Sequence, residues 1–477
     1  MNTKKVKQVS KKENNEGDSD LVLDLDLGHK IIKLAEKLGA HDTEVFMVKG
    51  TDTSFSIEND MVTFSQSSTE FGIGIRLIRD KRLGFGYCTT LESAESALKN
   101  ALAAAKLAKQ LEFEFINEMS KIKTTGALGS IYDKQLLELD VADGLKFTDQ
   151  LIESSKESNS DVIVTGGGVG YGGGSVGIIN SNGFELQYSG TGIYAGVSTI
   201  LKDKTISTGF EYEHSRSKDI DMTKIGKIAS ELAIKGQNTK KIDPGDYFVI
   251  FTPHSLGELL EFTVIPSLYG EAALKGETAY SNKLGEDVAS QGISLIDSGI
   301  LENGINSAPF DDEGTPCQEN ILIENGILKK YLFDRLSALE FNESSTGNAV
   351  RTEGFSGGRN YKALPKTKAL NFTIHGNTKD LNDIIKDQGN ALIVHQLLGS
   401  HTANPASGDF SVNCPTLFKI EKGDIVYAGK QVMISGNMPE LLKKIVAVAN
   451  DYKNVSGGLT PIAQRLPSIL FQDVKII

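Results

Sequence analysis

The sequence predicts an α+β protein of two domains: an N-terminal α/β domain with a mixed or antiparallel sheet, then a β-rich C-terminal domain. Three observations predict it. At 477 residues the chain is too long for one hydrophobic core of ordinary size. Helical patterns follow groups of strand patterns instead of alternating with them as regular βαβ units do. A polar segment at 235–246, KGQNTKKIDPGD, with Pro244 and Gly245, marks a boundary. The expected organisation is a disordered tail at 1–20, one domain at 21–236 and a second at 243–477.

Leu27, Ile31, Leu34, Ala35 and Leu38 recur at helical spacing and Gly39 ends that helix. EVFMVKG, SFSIEND and MVTFSQ read as strands, and GIGIRLIRDKRLGFGYC as a hairpin with Arg79–Arg82 at its tip. A helix is expected over about 91–111, with Thr89 and Glu92 as a capping box, and another between Val141 and Ser155. DVIVTGGG, SVGIINSNGFELQYS and GIYAGVSTILKD read as successive strands turning at Ser181-Asn182-Gly183. A helix around 221–235 closes this half. The second half opens with the strand YFVIFT and a helix beginning near Pro253. ILIENGILKKYL and FKIEKGDIVYAG each read as a hairpin, and MPELLKKIVAVAND as a late helix.

The balance of 50 basic against 62 acidic residues gives a net charge of −12. A surface of that sign repels phosphate backbones, so nucleic acid is excluded as an expected partner. Cys88, Cys317 and Cys414 lie far apart, which is cytoplasmic usage without a disulfide framework. Residues 1–20 carry five Lys and four acids with almost nothing apolar, unlike a signal peptide. Val162 to Ile179 is uncharged over 18 residues, but eight of these are glycine, too weakly apolar for a membrane helix.

Several motifs invite a chemical reading. Gly168, Gly170 and Gly173 match G-x-G-x-x-G, and Ser175 sits in G-x-S-x-G at 173–177. Both chemistries need a turn that opens a helix. Here SVGIINSNG follows, another strand, so glycines packed in strands or a flexible flap are expected. Asp311-Asp312-Glu313 could bind a divalent cation, but neighbours on an extended chain point to opposite faces. A loop whose carboxylates cap backbone N–H groups fits better. His395, His401 and Cys414 are ligand types zinc takes. Spacing argues against them: six residues on a helix is about 600° of rotation, and on a strand about 20 Å. Ala403 to Asp409 reads as a turn in its own right.

Five segments, NPASGDFS, IENGILKKYLFD, PFDDEGTPCQ, STGNAVR and ISGNMPELLKKI, together resemble the TldD/PmbA family, the two-subunit TldD–TldE metalloprotease system also labelled a modulator of DNA gyrase. The resemblance implies a shared fold in which TldD carries zinc on an H-E-x-x-x-H helix plus a C-terminal cysteine, while TldE lacks them. Aligned on Leu259-Leu260, this chain has Glu261 and Pro266 at the histidine positions and Phe262 at that of the catalytic glutamate. NVSGGLTPIAQ contains no cysteine, and His254 upstream is expected to be an ordinary surface or capping residue. The resemblance therefore implies a TldE-type subunit with no cofactor of its own, zinc residing in a TldD-type partner, and unfolded peptides as substrates. Asp311, Asp312, Glu313, Asn404 and Asp409 are the motif-loop residues expected to line its chamber, and glycine-rich strands would suit peptide binding by strand addition. Two alternatives stay open: an active hydrolase using Ser175 or a metal at His395, His401 and Cys414, and a peptide-binding homo-oligomer.

Overall fold

A computed structural model describes residues 21–117, 131–203, 205–352, 359–456 and 462–477; the tail expected at 1–20 lies outside them. The first half is built on one antiparallel six-stranded sheet, in the order β3-β2-β1-β4-β5-β6. Its strands are β1 (Asp42–Glu58), β2 (Met61–Arg79), β3 (Arg82–Cys88), β4 (Val162–Asn180), β5 (Glu185–Lys202) and β6 (Ile206–Ser215). Three of these are longer than the sequence pattern suggests: EVFMVKG and SFSIEND are one strand, as are MVTFSQ and GIGIRLIR, and DVIVTGGG runs on through SVGIIN. The break in β2 marks where the sheet leaves its cover, because Met61 to Glu70 is exposed apart from Val62 while the pairing to β1 continues.

The glycine-rich run lies within β4, paired to β1 on one side and β5 on the other. Its backbone groups are therefore spent in the sheet, and strand addition there is closed. Glycine is required at Gly172, where a Cβ would stand 2.0 Å from the Thr51 carbonyl oxygen.

Helices cover one face: α1 (Leu25–Lys37), α2 (Leu91–Leu107), α3 (Lys134–Leu137), α4 (Val141–Glu157) and α5 (Met222–Lys235). The capping of α2 differs by one residue from expectation, since Thr90 accepts from the backbone N–H of Ser93. At α4 Asp140 and Asp143 form the reciprocal box. Val45 and Met47 of β1 point into the helix-side core, with Ile73, Ile75 and Ala97. The alternate residues Phe46 and Val48 pack on the opposite face with Phe310 and Tyr361 from the second half.

The second half is β-rich. A nine-stranded mixed sheet places β8 (Gly245–Phe251) between Ile469–Ile476 and Asn390–Leu398, with β7 (Thr239–Lys240) at its edge. A second six-stranded sheet contains Ser294–Ser298, Glu319–Glu324 and Asn371–His375. Both expected hairpins form. The late helix is short, Met438–Leu442, and Ile445–Ala449 is a strand antiparallel to Ile469–Ile476. Its alternating β-branched residues favour the sheet once that partner is present. Among the described residues no helix is long and apolar enough to cross a membrane.

A buried charge network ties the halves together. Arg76 Nε and Nη2 donate to the two carboxylate oxygens of Glu44, each at 2.8 Å, and Arg76 Nη1 donates to Glu313 at 2.6 Å. Arg351 Nη2 donates to Glu44 at 2.9 Å and Arg359 Nε to Asp312 at 2.6 Å. Glu44, Arg76, Asp312, Glu313 and Arg351 are all at most 2% exposed. Replacing Glu44 by leucine leaves Arg76 and Arg351 buried beside an apolar group. The expected loss is about 3–5 kcal/mol, read from the urea midpoint by tyrosine fluorescence, since the chain has no tryptophan. A loss under about 1 kcal/mol would show the network to be dispensable.

Candidate functional site

The helix α6 (Pro253–Phe262) follows directly from β8 and buries nearly its whole surface. Pro253 fits its first turn, where no backbone donor is needed. Ser255 donates to the Val394 carbonyl at 2.8 Å, and Gln464 donates to the Gly257 carbonyl at 3.0 Å, so both flanking strands grip it. Glu261 is 1% exposed, Phe262 is half-buried against the core, and Pro266 opens a short 3₁₀ turn.

His254 is buried, not a surface or capping residue. It sits in the first turn of α6 and faces β6, where its Nε2 contacts Glu211 Oε1 at 2.6 Å. Lys453 donates to the other Glu211 oxygen at 2.6 Å. Glu211 is thus held by two cationic-type donors, and although burial raises its pKa, His254 and Lys453 bring it down to about 2. The His254 ring packs at a tilt against Tyr212, with centroids 4.3 Å apart, and Tyr212 donates to the Ser456 carbonyl at 2.7 Å. His214 packs on Tyr194 at 4.8 Å. His395 lies edge-on to Phe418.

Burial first, and then the neighbouring His254, lower both His214 and His395 to about 4. Burial and the nearby Glu261 push Glu258 up to about 8. The cluster joins β6 of the first half to α6 and Lys453–Ser456 of the second. Sequence spacing could not find it, since Glu211, His254 and Lys453 are distant along the chain.

A zinc site needs histidine, cysteine or carboxylate side chains converging on one point. At the aligned positions only Glu261 offers a donor, for Phe262 and Pro266 have none. Among the described residues no three His, Cys, Asp or Glu side chains group so as to hold a metal ion. The residues present do not fit zinc. His395 is on the strand Asn390–Leu398, His401 in the exposed turn Ser400–Thr402, and Cys414 in the core, where its thiol contacts the Thr416 carbonyl. Ser175 is buried in β4 and shares a hydrogen bond with Ser189 at 2.7 Å.

The motif loops divide into two kinds. Asp311 accepts from the backbone N–H groups of Glu313, Thr315 and Ala349, and burial with the adjacent Glu313 raises its pKa well above the carboxylate range. Asp312 accepts from Arg351 N–H, and Glu313 from Arg335 N–H. All three are interior residues that cap backbone donors, and Asp312 and Glu313 also join the network. Asn404 and Asp409 are exposed; Asn404 accepts from Ala406 N–H at 2.9 Å and Asp409 from Asn437 Nδ2 at 2.8 Å.

Three family models match the chain: PmbA/TldA metallopeptidase domain 1 at 43–105, the central domain at 134–237 and the C-terminal domain at 244–477. An uncharacterized protein of Methanocaldococcus jannaschii is 30% identical over 434 residues, 91% of this chain and 97% of that one. The metalloprotease TldD homolog of Buchnera aphidicola is 27% identical, covering 89% of this chain and 90% of its own. The crystal structure of TldE from Thermococcus kodakarensis shares the fold, with a TM-score of 0.86 at 24% identity over 94% of this chain and 99% of that one. The chain belongs to the PmbA/TldD metallopeptidase family.

Two half-buried histidines are expected to set an acid limit on the protein's stability. Unfolded histidine takes a proton near 6.5, but His214 and His395 resist it until about 4 in the folded chain. The unfolded state therefore binds more protons as pH falls through this window, and stability declines from about pH 6.5 to 4. Glu211 adds a further decline between about 4.5 and 2. His214→Asn and His395→Asn are each expected to flatten the upper limb of the curve of melting temperature against pH. An unchanged slope in both variants would rule out this origin.

Proposed function

We propose that this member of the PmbA/TldD family is a TldE-like, non-catalytic subunit of a TldD–TldE-type metalloprotease acting on unfolded peptides in the cytoplasm. The zinc and the activated water belong to a TldD-type partner. One observation carries the reading: the segment to which the resemblance assigns the metal ligands, the end of α6 and the 3₁₀ turn that follows it, presents Glu261, Phe262 and Pro266. A phenyl ring cannot take a proton from water, and a proline side chain has no lone pair for zinc. Glu261 alone offers one ligand where three are needed.

The surroundings of α6 support the same reading. His254, the nearest histidine to those positions in sequence, is engaged by Glu211 and packed against Tyr212, so it braces the helix against β6. Ser175 lies inside a sheet with Ser189 as its partner, which gives the hydrolase alternative no base to work with there. The protein's contribution to a two-subunit protease is then shape: a wall for the chamber and a surface that holds extended chains. A TldD-type subunit would supply the chemistry.

The test compares the purified chain alone, a TldD-type chain alone and the two co-expressed, using an unfolded peptide with a fluorescent reporter. Elemental mass spectrometry reads zinc in each sample. The expected result is almost no zinc and no cleavage for this chain alone, a stable complex on co-expression, and cleavage at least tenfold faster with both chains than with the TldD-type chain alone, roughly 1.4 kcal/mol of barrier. Cleavage by this chain alone, or about one zinc per chain, would overturn the proposal.

A further inference from the structure

Among the described residues, the outer half of β2 is a strand edge with no strand beside it. β2 pairs with β1 along almost its full length, but with β3 only from Ile73 to Arg79. Among the described residues, Met61 to Gly72 has no strand on its outer side. A row of backbone N–H and C=O groups of that length is a template for another chain. Proteins usually blunt such an edge with lysine, proline or a covering element. The stretch MVTFSQSSTEFG contains neither lysine nor proline, and Met61 to Glu70 is exposed apart from Val62.

Its charge selects the occupant. Between Lys49 and Arg76 the sequence has no basic residue, but it has four acids, Asp52, Glu58, Asp60 and Glu70. Asp60 is matched by Lys156 at 2.6 Å. Asp52, Glu58 and Glu70 are exposed. Asp52 lies across from Ser68, so it shares a face of the sheet with Glu70. A second copy of the same edge would bring these acids together. An extended chain carrying lysine or arginine would meet them with opposite charge.

We infer that the free edge of β2, Met61 to Gly72, binds an extended basic polypeptide by antiparallel or parallel strand addition, with Asp52 and Glu70 reading its positive side chains. Backbone pairing accepts many sequences, as a peptide-handling subunit requires. The inference takes its ligand class from the function proposed above. It is tested on this chain alone, so a failure of partner-dependent cleavage leaves it standing.

The probe is a fluorescein-labelled peptide of roughly twelve residues, matching the edge, with lysine alternating with valine and threonine. A glutamate counterpart is the control. Fluorescence anisotropy gives the affinities, and hydrogen–deuterium exchange gives the site. Binding of the lysine peptide with new protection confined to 61–72 is the expected result. Asp52→Lys combined with Glu70→Lys is expected to weaken it roughly three- to tenfold, the worth of two exposed charge pairs. These surface changes leave the core untouched, and a melt confirms folding.

Protection outside 61–72, or equal binding of both peptides, would overturn the inference. So would an edge already protected in proportion to protein concentration, which would assign it to a second copy.

Discussion

Glu44 is the charge on which the two halves turn. Its two oxygens take three donors, two from Arg76 of the same sheet and one from Arg351 of the second half, and neither arginine has access to water. A buried guanidinium is tolerable only when its donors are satisfied. Removing water from this face therefore requires the Asp311–Glu313 loop and the strand Ala349–Arg351 to arrive together. Phe46 lies under Arg351, and Phe113 and Phe115 flank Arg76, so the charges are also stacked on aromatic rings. The network adds orientation more than stability, since apolar packing of equal volume would hold the halves as firmly without fixing their register.

A second polar joint sits at the other side of the sheet. Glu211 on β6 accepts from His254 on α6 and Lys453 further on, while Tyr212 bonds the Ser456 carbonyl. Together the two joints hold the first sheet at both edges of its contact with the second half. The helix α6 is buried for this structural reason. Its interior positions carry Leu256, Leu259 and Leu260, while His254 and Ser255 bond to neighbouring strands. Between the joints, β4 and β5 present glycines, leaving that face of the sheet low.

Much of this was legible in the sequence. Periodicity located α1, helices were also expected where α4 and α5 form, and strand patterns placed a hairpin tip at Arg79–Arg82, where Asp80 and Lys81 adopt positive φ. The run of five motifs pointed to the family that the domain models also match. The carboxylates at 311–313 were read correctly as caps for backbone N–H groups, although nothing local showed that they would meet Arg76 and Arg359. His254 was misread because its partner Glu211 lies on another element, and burial is a property of the packed chain. IVAVA was misread because a short apolar run beside a helix suits either structure until a strand is available to pair with it.

By itself the sequence determined which chemistry α6 and the turn after it can offer, because side-chain identity alone decides whether Phe262 or Pro266 can bind a metal or a proton. It also determined the alternation that lets β1 bury both of its faces. Tertiary structure alone decided which groups lose water. Glu44, Arg76, Glu313 and Arg351 read as ordinary surface charges until two sheets close over them. The glycines of β4 read as available backbone until β1 and β5 take their hydrogen bonds. Among the described residues the outer edge of β2 stays unpaired because β3 ends the pairing at Ile73, a register no single strand contains.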